Sequence, residues 1–382
     1  MIQTILFDVD GVFLSEEHYF DASALTVWEL LNSPNYLGLS GEDCFSTNYS
    51  KEQIESIRQT VFLNDEVLNQ LKSRGMNANW DMIYVTFSVQ LIDLIAQLPA
   101  HIREQAAQLL TAPITRATLA ALRPIFRAHG VRPRFQATLA AYKDTDVMKQ
   151  EIILYLNEFA AQRLAIETEV FQPKSSLWHI GEHCSQEWYV GDVHVEASTG
   201  QPSVQTGKTG FLAEEETIVP KAHVLAMFRA FREQGLTVGI ATGRPALETY
   251  QPFDYLGWLD VLDREHIATA DDVLKAEKSY DAAPLAKPHP FTYLLAYHGQ
   301  SSDARRWTAR EPECLARGEE TLIVGDSLAD LLCARQIGCR FAGVLTGLSG
   351  QKARSQLEAH GADYVLNSIA DLPALVKELN QN

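Results

Sequence analysis

The position of the first strand constrains the fold of this chain more than any other feature. The apolar run TILFD occupies residues 4–8, and the next comparable run, LTVGIAT, begins only at Leu236. From about residue 214, strand-like runs alternate with amphipathic helices, a pattern typical of a parallel sheet with helices on both faces. The simplest architecture is one α/β domain that is interrupted after its first strand by a large insertion.

We predict that this insertion is a separate domain at residues 20–213, and that residues 1–19 and 214–382 form the α/β core. To about residue 165, apolar residues recur at helical spacings, as in KEQIESIRQTVF and DMIYVTFSVQLIDLIAQL. Beyond it, QEWYVGDVHVEAS alternates as a strand does, and STGQPSVQTGKTG is a polar loop. We therefore expect a mostly helical insertion that ends in a small β and loop element at about 168–213.

The core region contains four further strand-like runs, LTVGIAT, WLDVL, TLIVG and RFAGVLT, with helical segments between them. Polar residues follow directly where several of these runs end. Because ligands of open α/β sheets bind at the carboxyl ends of the strands, we look for the functional residues there.

The acidic composition limits the classes of partner. The chain carries 32 Lys and Arg against 49 Asp and Glu, a formal net charge of −17. We therefore expect no nucleic-acid partner, and an anionic substrate needs a local positive site or a metal. The five scattered cysteines form no CxxC pair, no run is apolar enough to span a membrane, and no leader precedes the first strand. These features predict a cytoplasmic protein with no membrane partner.

The first strand ends on two carboxylates, Asp8 and Asp10, whose side chains point the same way in an extended segment. Two close negative charges need a cation or a shared proton, and hard oxygen ligands suit Mg²⁺. A calcium loop does not fit, because Gly11 comes too early and Tyr19 occupies the twelfth position. An acidic turn, or a dehalogenase-type site with one working carboxylate, remains open from these residues alone.

The next two motifs carry groups that can bind a phosphoryl group. In IATGRP, Thr242 offers a hydroxyl and Gly243 leaves its backbone amide accessible at the start of a helix, which suits a phosphate. A plain helix cap by the threonine explains the motif equally well. In LAKPHP, Lys287 can neutralise oxyanions, although a solvated surface lysine would give the same pattern.

The fourth motif, LIVGDSLADLL, places Asp326 directly after a strand and Asp330 four residues later, on the same side of a helix start. Carboxylates are also favoured at helix N-termini for structural reasons. The four turns lie in order at one edge of a single sheet, and together they provide the groups of a Mg²⁺-dependent phosphoryl-transfer site.

This set of motifs resembles the haloacid dehalogenase (HAD) superfamily, in particular its phosphoglycolate-phosphatase-like hydrolases with a cap inserted between the first and second motifs. The matching pieces are FDVDGV, IATGRP, AKPHP followed by YLLA, IVGDSLAD, AGVLTG and HGADYVLNSIADLPAL. The resemblance covers residues 1–15 and about 215–382, and it implies a Rossmann-like sheet. The cap is far larger than the family's usual helical cap, and a polar insertion occupies about 300–318.

The resemblance implies a role for each carboxylate. Asp8 corresponds to the family's nucleophile and Asp10 to its general acid and base. Mg²⁺ would be bound by Asp8, the main-chain carbonyl of Asp10 and Asp326. Asp330 would assist the metal site or orient Lys287.

The resemblance also implies that Thr242, the Gly243 amide and Lys287 bind the phosphoryl oxygens. Arg244 lies beside this cradle, and Lys208 in TGKTG lies near the return to the core, so each is a candidate for substrate contact. A nucleotide-binding loop at TGKTG is not expected, because Pro202 stands where the motif needs a glycine. Zinc binding at HIGEHC is conceivable, but its spacing fits no standard site.

The resulting hypothesis is a Mg²⁺-dependent hydrolase of a small phosphorylated metabolite that acts through an aspartyl phosphate. A phosphotransferase or mutase on the same site is the first alternative. A low-turnover binding or regulatory protein of the same fold is the second.

Overall fold

A computed structural model describes residues 1–40, 45–76, 78–282, 284–310 and 312–381. The chain forms two compact units, a core of residues 1–16 and 212–382 and a cap of residues 17–211.

All regular secondary structure in the described part of the cap is helical. Its helices are α1 (Glu17–Asn32), α2 (Lys51–Phe62), α3 (Glu66–Ser73), α4 (Asn79–Ala96), α5 (Ala100–Gln108), α6 (Arg116–His129), α7 (Gln136–Ala141), α8 (Glu151–Leu164), α9 (Ser176–Val190) and α10 (Val195–Thr199). Helix α4 lies at the centre, packs against α1, α8 and α9, and is buried on all sides from Met82 to Ile95. Among the described residues, no helix is both long and apolar enough to cross a membrane.

The prediction of a small β element at about 168–213 is wrong. The run QEWYVGDVHVEAS forms the end of α9 and then α10. All residues from Gln186 to Val190 are buried, so this part of the helix has no exposed face. The sequence therefore lacks the amphipathic pattern by which a surface helix is recognised. Trp188 and Tyr189 are also residues that favour strands, which strengthens the misleading pattern.

The core contains a six-stranded sheet. Its strands are β1 (Thr4–Phe7), β2 (Thr237–Ala241), β3 (Ile267–Ala268), β4 (Thr321–Gly325), β5 (Arg340–Val344) and β6 (Tyr364–Leu366). All pairings are parallel, and the order is β3-β2-β1-β4-β5-β6. The chain order reverses beside β1, where Phe7 lies between Ile240 and Val324, so the carboxyl ends of β2, β1 and β4 adjoin at the expected ligand crevice.

Helices cover both faces of the sheet, and the α/β fold class is confirmed. The core helices are α11 (Lys221–Glu233), α12 (Ala246–Tyr255), α13 (Ala270–Tyr280), α14 (Phe291–His298), α15 (Leu328–Gln336), α16 (Ala353–Ala359) and α17 (Leu372–Gln381). Ile5 and Phe7 enter one apolar cluster and Leu6 enters another, as expected for alternating side chains of a strand that is buried on both faces. This burial holds β1, and the residues that follow it, in the middle of the domain.

One strand of the core was misplaced by the sequence pattern. The run WLDVL forms a turn, and the neighbouring strand is the two-residue β3 that begins at Ile267. Trp258 is fully buried beside Phe13 and Phe228, so the apolar character of WLDVL reflects packing rather than strand pairing.

Candidate active site

Asp8 is the first residue beyond β1, and its backbone N–H still donates to the Val324 carbonyl of β4 at 2.9 Å. Its Oδ1 accepts a hydrogen bond from the N–H of Val9 at 2.8 Å and lies 3.0 Å from the Nζ of Lys287. The side chains of Asp8 and Lys287 are each 13% exposed. One carboxylate is thus fixed at the centre of the sheet edge by a backbone amide and an ammonium group.

Asp330 holds the other side of Lys287. Its Oδ1 lies 2.8 Å from the lysine Nζ and accepts a hydrogen bond from the Tyr293 hydroxyl at 2.8 Å, while its Oδ2 accepts one from the Ser327 hydroxyl at 2.6 Å. Burial alone would raise the pKa of this carboxyl, but Lys287 and the hydrogen bonds lower it. The ammonium group of Lys287 is thus held between the carboxylates of Asp8 and Asp330.

Asp326 completes a compact group of carboxylates. Oxygen atoms of Asp8, Asp326 and Asp330 all lie within 4.8 Å of one another. Burial, followed by repulsion from Asp330 and Asp8, raises the pKa of Asp326 well above its usual value. Burial also raises the pKa of Asp8 to about 7, although Lys287 acts in the opposite direction.

The charges of this group suit a divalent cation. Three carboxylates face one ammonium group, and desolvation makes the unbalanced negative charge costly. A bound cation lowers that cost, and an all-oxygen donor set is the type that Mg²⁺ prefers. The residues present therefore fit the ion that the sequence motifs imply.

The side chain of Asp10 has a different partner, Arg244. Its Oδ1 accepts from Nε of Arg244 at 2.7 Å and lies 2.6 Å from Nη2. Nη1 of the same arginine donates to Oε1 of Glu215 at 2.7 Å. The Arg244 side chain is only 1% exposed, and its contacts indicate that it positions Asp10. The substrate contact that the sequence suggested for Arg244 stays a prediction.

Thr242 and Gly243 lie at the carboxyl end of β2, beside β1. The Thr242 hydroxyl accepts a hydrogen bond from the N–H of Arg244 at 3.1 Å and is buried. A Cβ placed on Gly243 would meet no atom within 4 Å, so the backbone there faces open space. The hydroxyl shapes the turn, and the role of both residues in phosphate binding stays a prediction.

Lys208 lies in the cap and is paired with carboxylates of the cap. Its Nζ lies 2.8 Å from Oε2 of Glu29 and also contacts Glu187, and the three side chains have no exposed surface. The adjoining backbone is held by Asp192, whose Oδ2 accepts from the Gly207 N–H at 2.6 Å. These contacts anchor the TGKTG loop, and nothing in them supports the predicted substrate contact.

The cysteine and histidines of HIGEHC lie in α9. His183 is 3.2 Å from Oε1 of Glu187 through Nε2, and its Nδ1 is 3.0 Å from the Thr199 hydroxyl. Within the described ranges, a group of three metal-binding side chains occurs at the sheet edge of the core and not at HIGEHC.

Several residues of the site were missed by sequence reasoning. Tyr293 was present in the matching run YLLA, but its contact with Asp330 depends on how α14 packs against the sheet. Glu215 gave no signal, because it is the middle one of three consecutive glutamates at residues 214–216, and such a run does not reveal which of them has a buried arginine partner. Ser327 is the N-cap of α15, and its pairing with Asp330 three residues later follows the capping-box pattern.

Comparison with known proteins gives a family match in the core. A family model described as HAD-hydrolase-like matches residues 284–372, which include Lys287, Asp326 and Asp330. Over these residues the chain matches the HAD superfamily. The comparison of the chain with curated proteins gave no match.

Solved structures include one strong match. A crystal structure of a Northeast Structural Genomics Consortium target is 39% identical to this chain, the match covers 99% of each chain, and its TM-score is 0.89. A hydrolase from Pseudomonas syringae is 14% identical, covers 98% of each chain and has a TM-score of 0.38. A HAD family hydrolase from Deinococcus radiodurans R1 with bound phosphate and sodium is 13% identical, covers 99% of this chain and 96% of its own, and has a TM-score of 0.39. The two latter likenesses are too low to support an inference about this chain.

Proposed function

We propose that this protein is a Mg²⁺-dependent phosphatase that hydrolyses a small phosphomonoester through an aspartyl phosphate on Asp8. The observation that carries the proposal is the fixed Asp8 carboxylate, which Lys287 contacts at 3.0 Å within a group of three carboxylates. A carboxylate nucleophile divides one slow displacement at phosphorus into two faster steps.

In the first step, an Asp8 oxygen forms a bond to phosphorus while the bond from phosphorus to the ester oxygen breaks. Asp10 donates a proton to the departing oxygen, which leaves as an alcohol. In the second step, water attacks phosphorus, Asp10 takes a proton from that water, and the Asp8 carboxylate is regenerated with inorganic phosphate.

Lys287 neutralises the charge of the transferring group, and Asp330 with Tyr293 keeps the lysine aimed at Asp8. Asp8, Asp326 and the main-chain carbonyl of Asp10 would hold Mg²⁺, with Asp330 close to them. Bound Mg²⁺ would supply Lewis-acid stabilisation of the phosphoryl oxygens. Thr242 and the amide of Gly243 would bind those oxygens from the side of β2.

The proposal is tested by measuring phosphate release from an aryl phosphate with and without added Mg²⁺. Wild-type protein should be active only with the metal, and Asp8→Asn should lower the rate by at least about 10³-fold. Asp10→Asn should also be strongly impaired. The exposed Asp254→Asn is the matched control and should behave as wild type.

Equal activity of wild type, Asp8→Asn and Asp10→Asn would overturn the proposal. A radiolabelled phosphoenzyme that forms in wild type and is absent in Asp8→Asn would support the covalent step directly. Transfer of the label to added sugars faster than to water would instead favour a phosphotransferase.

A further inference from the structure

The turn after β5 reaches the active site but has no role in the proposed reaction. Strand β5 runs beside β4, with Gly343 opposite Gly325, and the chain continues past Val344 to Thr346 and Gly347. These two residues end the run AGVLTG and therefore lie at the same sheet edge as the carboxylates that follow β4.

Gly347 leaves the space that the Asp326 carboxylate occupies. A Cβ added to Gly347 would lie 1.7 Å from Oδ2 and 2.5 Å from Cγ of Asp326. A separation this short cannot be relieved by a small adjustment. Any side chain at this position would therefore displace the carboxylate or the turn.

Gly11 bounds the same carboxylate from the side of β1. Its φ is +70°, a conformation that favours glycine, and a Cβ there would lie 2.6 Å from Oδ2 of Asp326 and 2.8 Å from the Cα of Gly347. The Asp326 carboxylate thus lies between two glycines from different turns.

Thr346 connects these two turns. Its hydroxyl donates a hydrogen bond of 2.5 Å to the backbone carbonyl of Gly11. This bond ties the chain after β5 to the chain after β1, the segment that carries Asp8 and Asp10. It fixes the width of the space that Asp326 fills.

We propose that Thr346 and Gly347 are positioning residues that set the Asp326 carboxylate for Mg²⁺ binding, an inference that rests on the proposed function. Mg²⁺ requires nearly ideal octahedral geometry with ligand distances of about 2.0–2.1 Å. A ligand displaced by the crowding of an added methyl group cannot meet that requirement while Asp8 stays in place. The β5 turn is therefore a fifth element of the site, beside the four motif turns.

The experiment is direct Mg²⁺ titration of full-length protein by calorimetry, with circular dichroism and metal-free thermal unfolding to check the fold. We expect Gly347→Ala to weaken Mg²⁺ binding by about 10–100-fold, the range seen when groups that orient metal ligands are changed. Thr346→Val should weaken binding in the same direction, and Thr346→Ser should restore it because the hydroxyl is kept. The neighbouring Leu348→Ala changes an exposed side chain and should bind as wild type.

The outcomes separate this inference from the function on which it rests. If wild-type protein binds no Mg²⁺, the metal-dependent function is wrong. If wild type binds Mg²⁺ and Asp326→Asn does not, but Gly347→Ala and Thr346→Val bind as tightly as wild type, the positioning role is wrong. If Gly347→Ala fails to fold, the comparison of Thr346→Val with Thr346→Ser decides.

Discussion

The core and the cap each bury one lysine against two carboxylates. The groups are Lys287 with Asp8 and Asp330 in the core, and Lys208 with Glu29 and Glu187 in the cap. The cap group is sealed, with no exposed side-chain surface, whereas Lys287 and Asp8 in the core keep 13% each.

The two groups also differ in charge. In the core, Asp326 adds a third carboxylate, so the negative charge exceeds what the single ammonium can balance. In the cap, Lys208 is shared by two carboxylates, and His183 lies 3.2 Å from one of them. Burial raises the pKa of Glu29. It also raises the pKa of Asp8 and of Asp326 in the core, where a bound cation would favour the ionised carboxylates. The difference teaches that a partly exposed group with excess negative charge indicates a ligand site. A fully buried group whose charges nearly balance indicates a structural role.

The largest expected effect is on stability in the cap. Lys208→Met leaves two buried carboxylates without their ammonium partner and should cost about 3–5 kcal/mol in the free energy of unfolding. Chemical denaturation measures this loss, with the exposed Lys143→Met as the matched control. If Lys208→Met is as stable as wild type but raises KM, Lys208 contacts substrate and the distinction between the two groups fails.

Lys287→Met should act on catalysis. Loss of the ammonium group beside Asp8 removes a stabilising charge from the transition state, so kcat/KM should fall by about 10²–10³-fold, or about 2.7–4 kcal/mol. Steady-state kinetics with an aryl phosphate measure it. An unchanged kcat/KM would mean that Lys287, like Lys208, is an anchor.

Tyr293→Phe should have an intermediate effect on the same lysine. The lost hydrogen bond to the charged Asp330 is worth about 1.5–3 kcal/mol, so we expect kcat to fall by roughly 10-fold because Lys287 is less well oriented. Mg²⁺ affinity should change little, since the hydroxyl contacts Asp330 and not Asp8 or Asp326. A loss of Mg²⁺ binding with an unchanged kcat would contradict this assignment.

The pH dependence of stability should have opposite signs for one carboxyl of each group, Asp8 in the core and Glu187 in the cap. The pKa of Asp8 is raised from 3.8 to about 7, so the protonated carboxyl stabilises the folded state. This stabilisation is fully present below pH 3.8 and is lost as the pH rises through about 7. Burial acts to raise the pKa of Glu187, but His183 and Lys208 lower it below 4.5. Its contribution is therefore present above that value and is lost as the pH falls.

Denaturation of the metal-free protein across this pH range checks both signs. Each group changes the free energy of unfolding by at most about 1.4 kcal/mol per pH unit. In Asp8→Asn, the free energy of unfolding should fall less as the pH rises to neutral. In Glu187→Gln, it should fall less as the pH is lowered. Identical pH profiles for both variants and wild type would contradict the contrast.

The sequence predicted the fold class well because its evidence was long and regular. Strands and helices alternate over the whole second half of the chain, and a single strand at residues 4–8 completes the sheet. Prediction failed where burial on all sides removes the amphipathic pattern of a helix, as at the end of α9 around Trp188. It also failed at WLDVL and at the short strand β3, where apolar composition does not distinguish a packed turn from a paired strand.

The sequence by itself determined which chemical groups stand at the ends of strands, because each motif is a local pattern and parallel strands bring their carboxyl ends to one edge. Only the tertiary structure decided what each group contacts. Asp330 holds Lys287, Arg244 holds Asp10, and Lys208 is sealed within the cap. Such pairings join residues far apart in the chain, and their distances and burial depend on packing that no local pattern records.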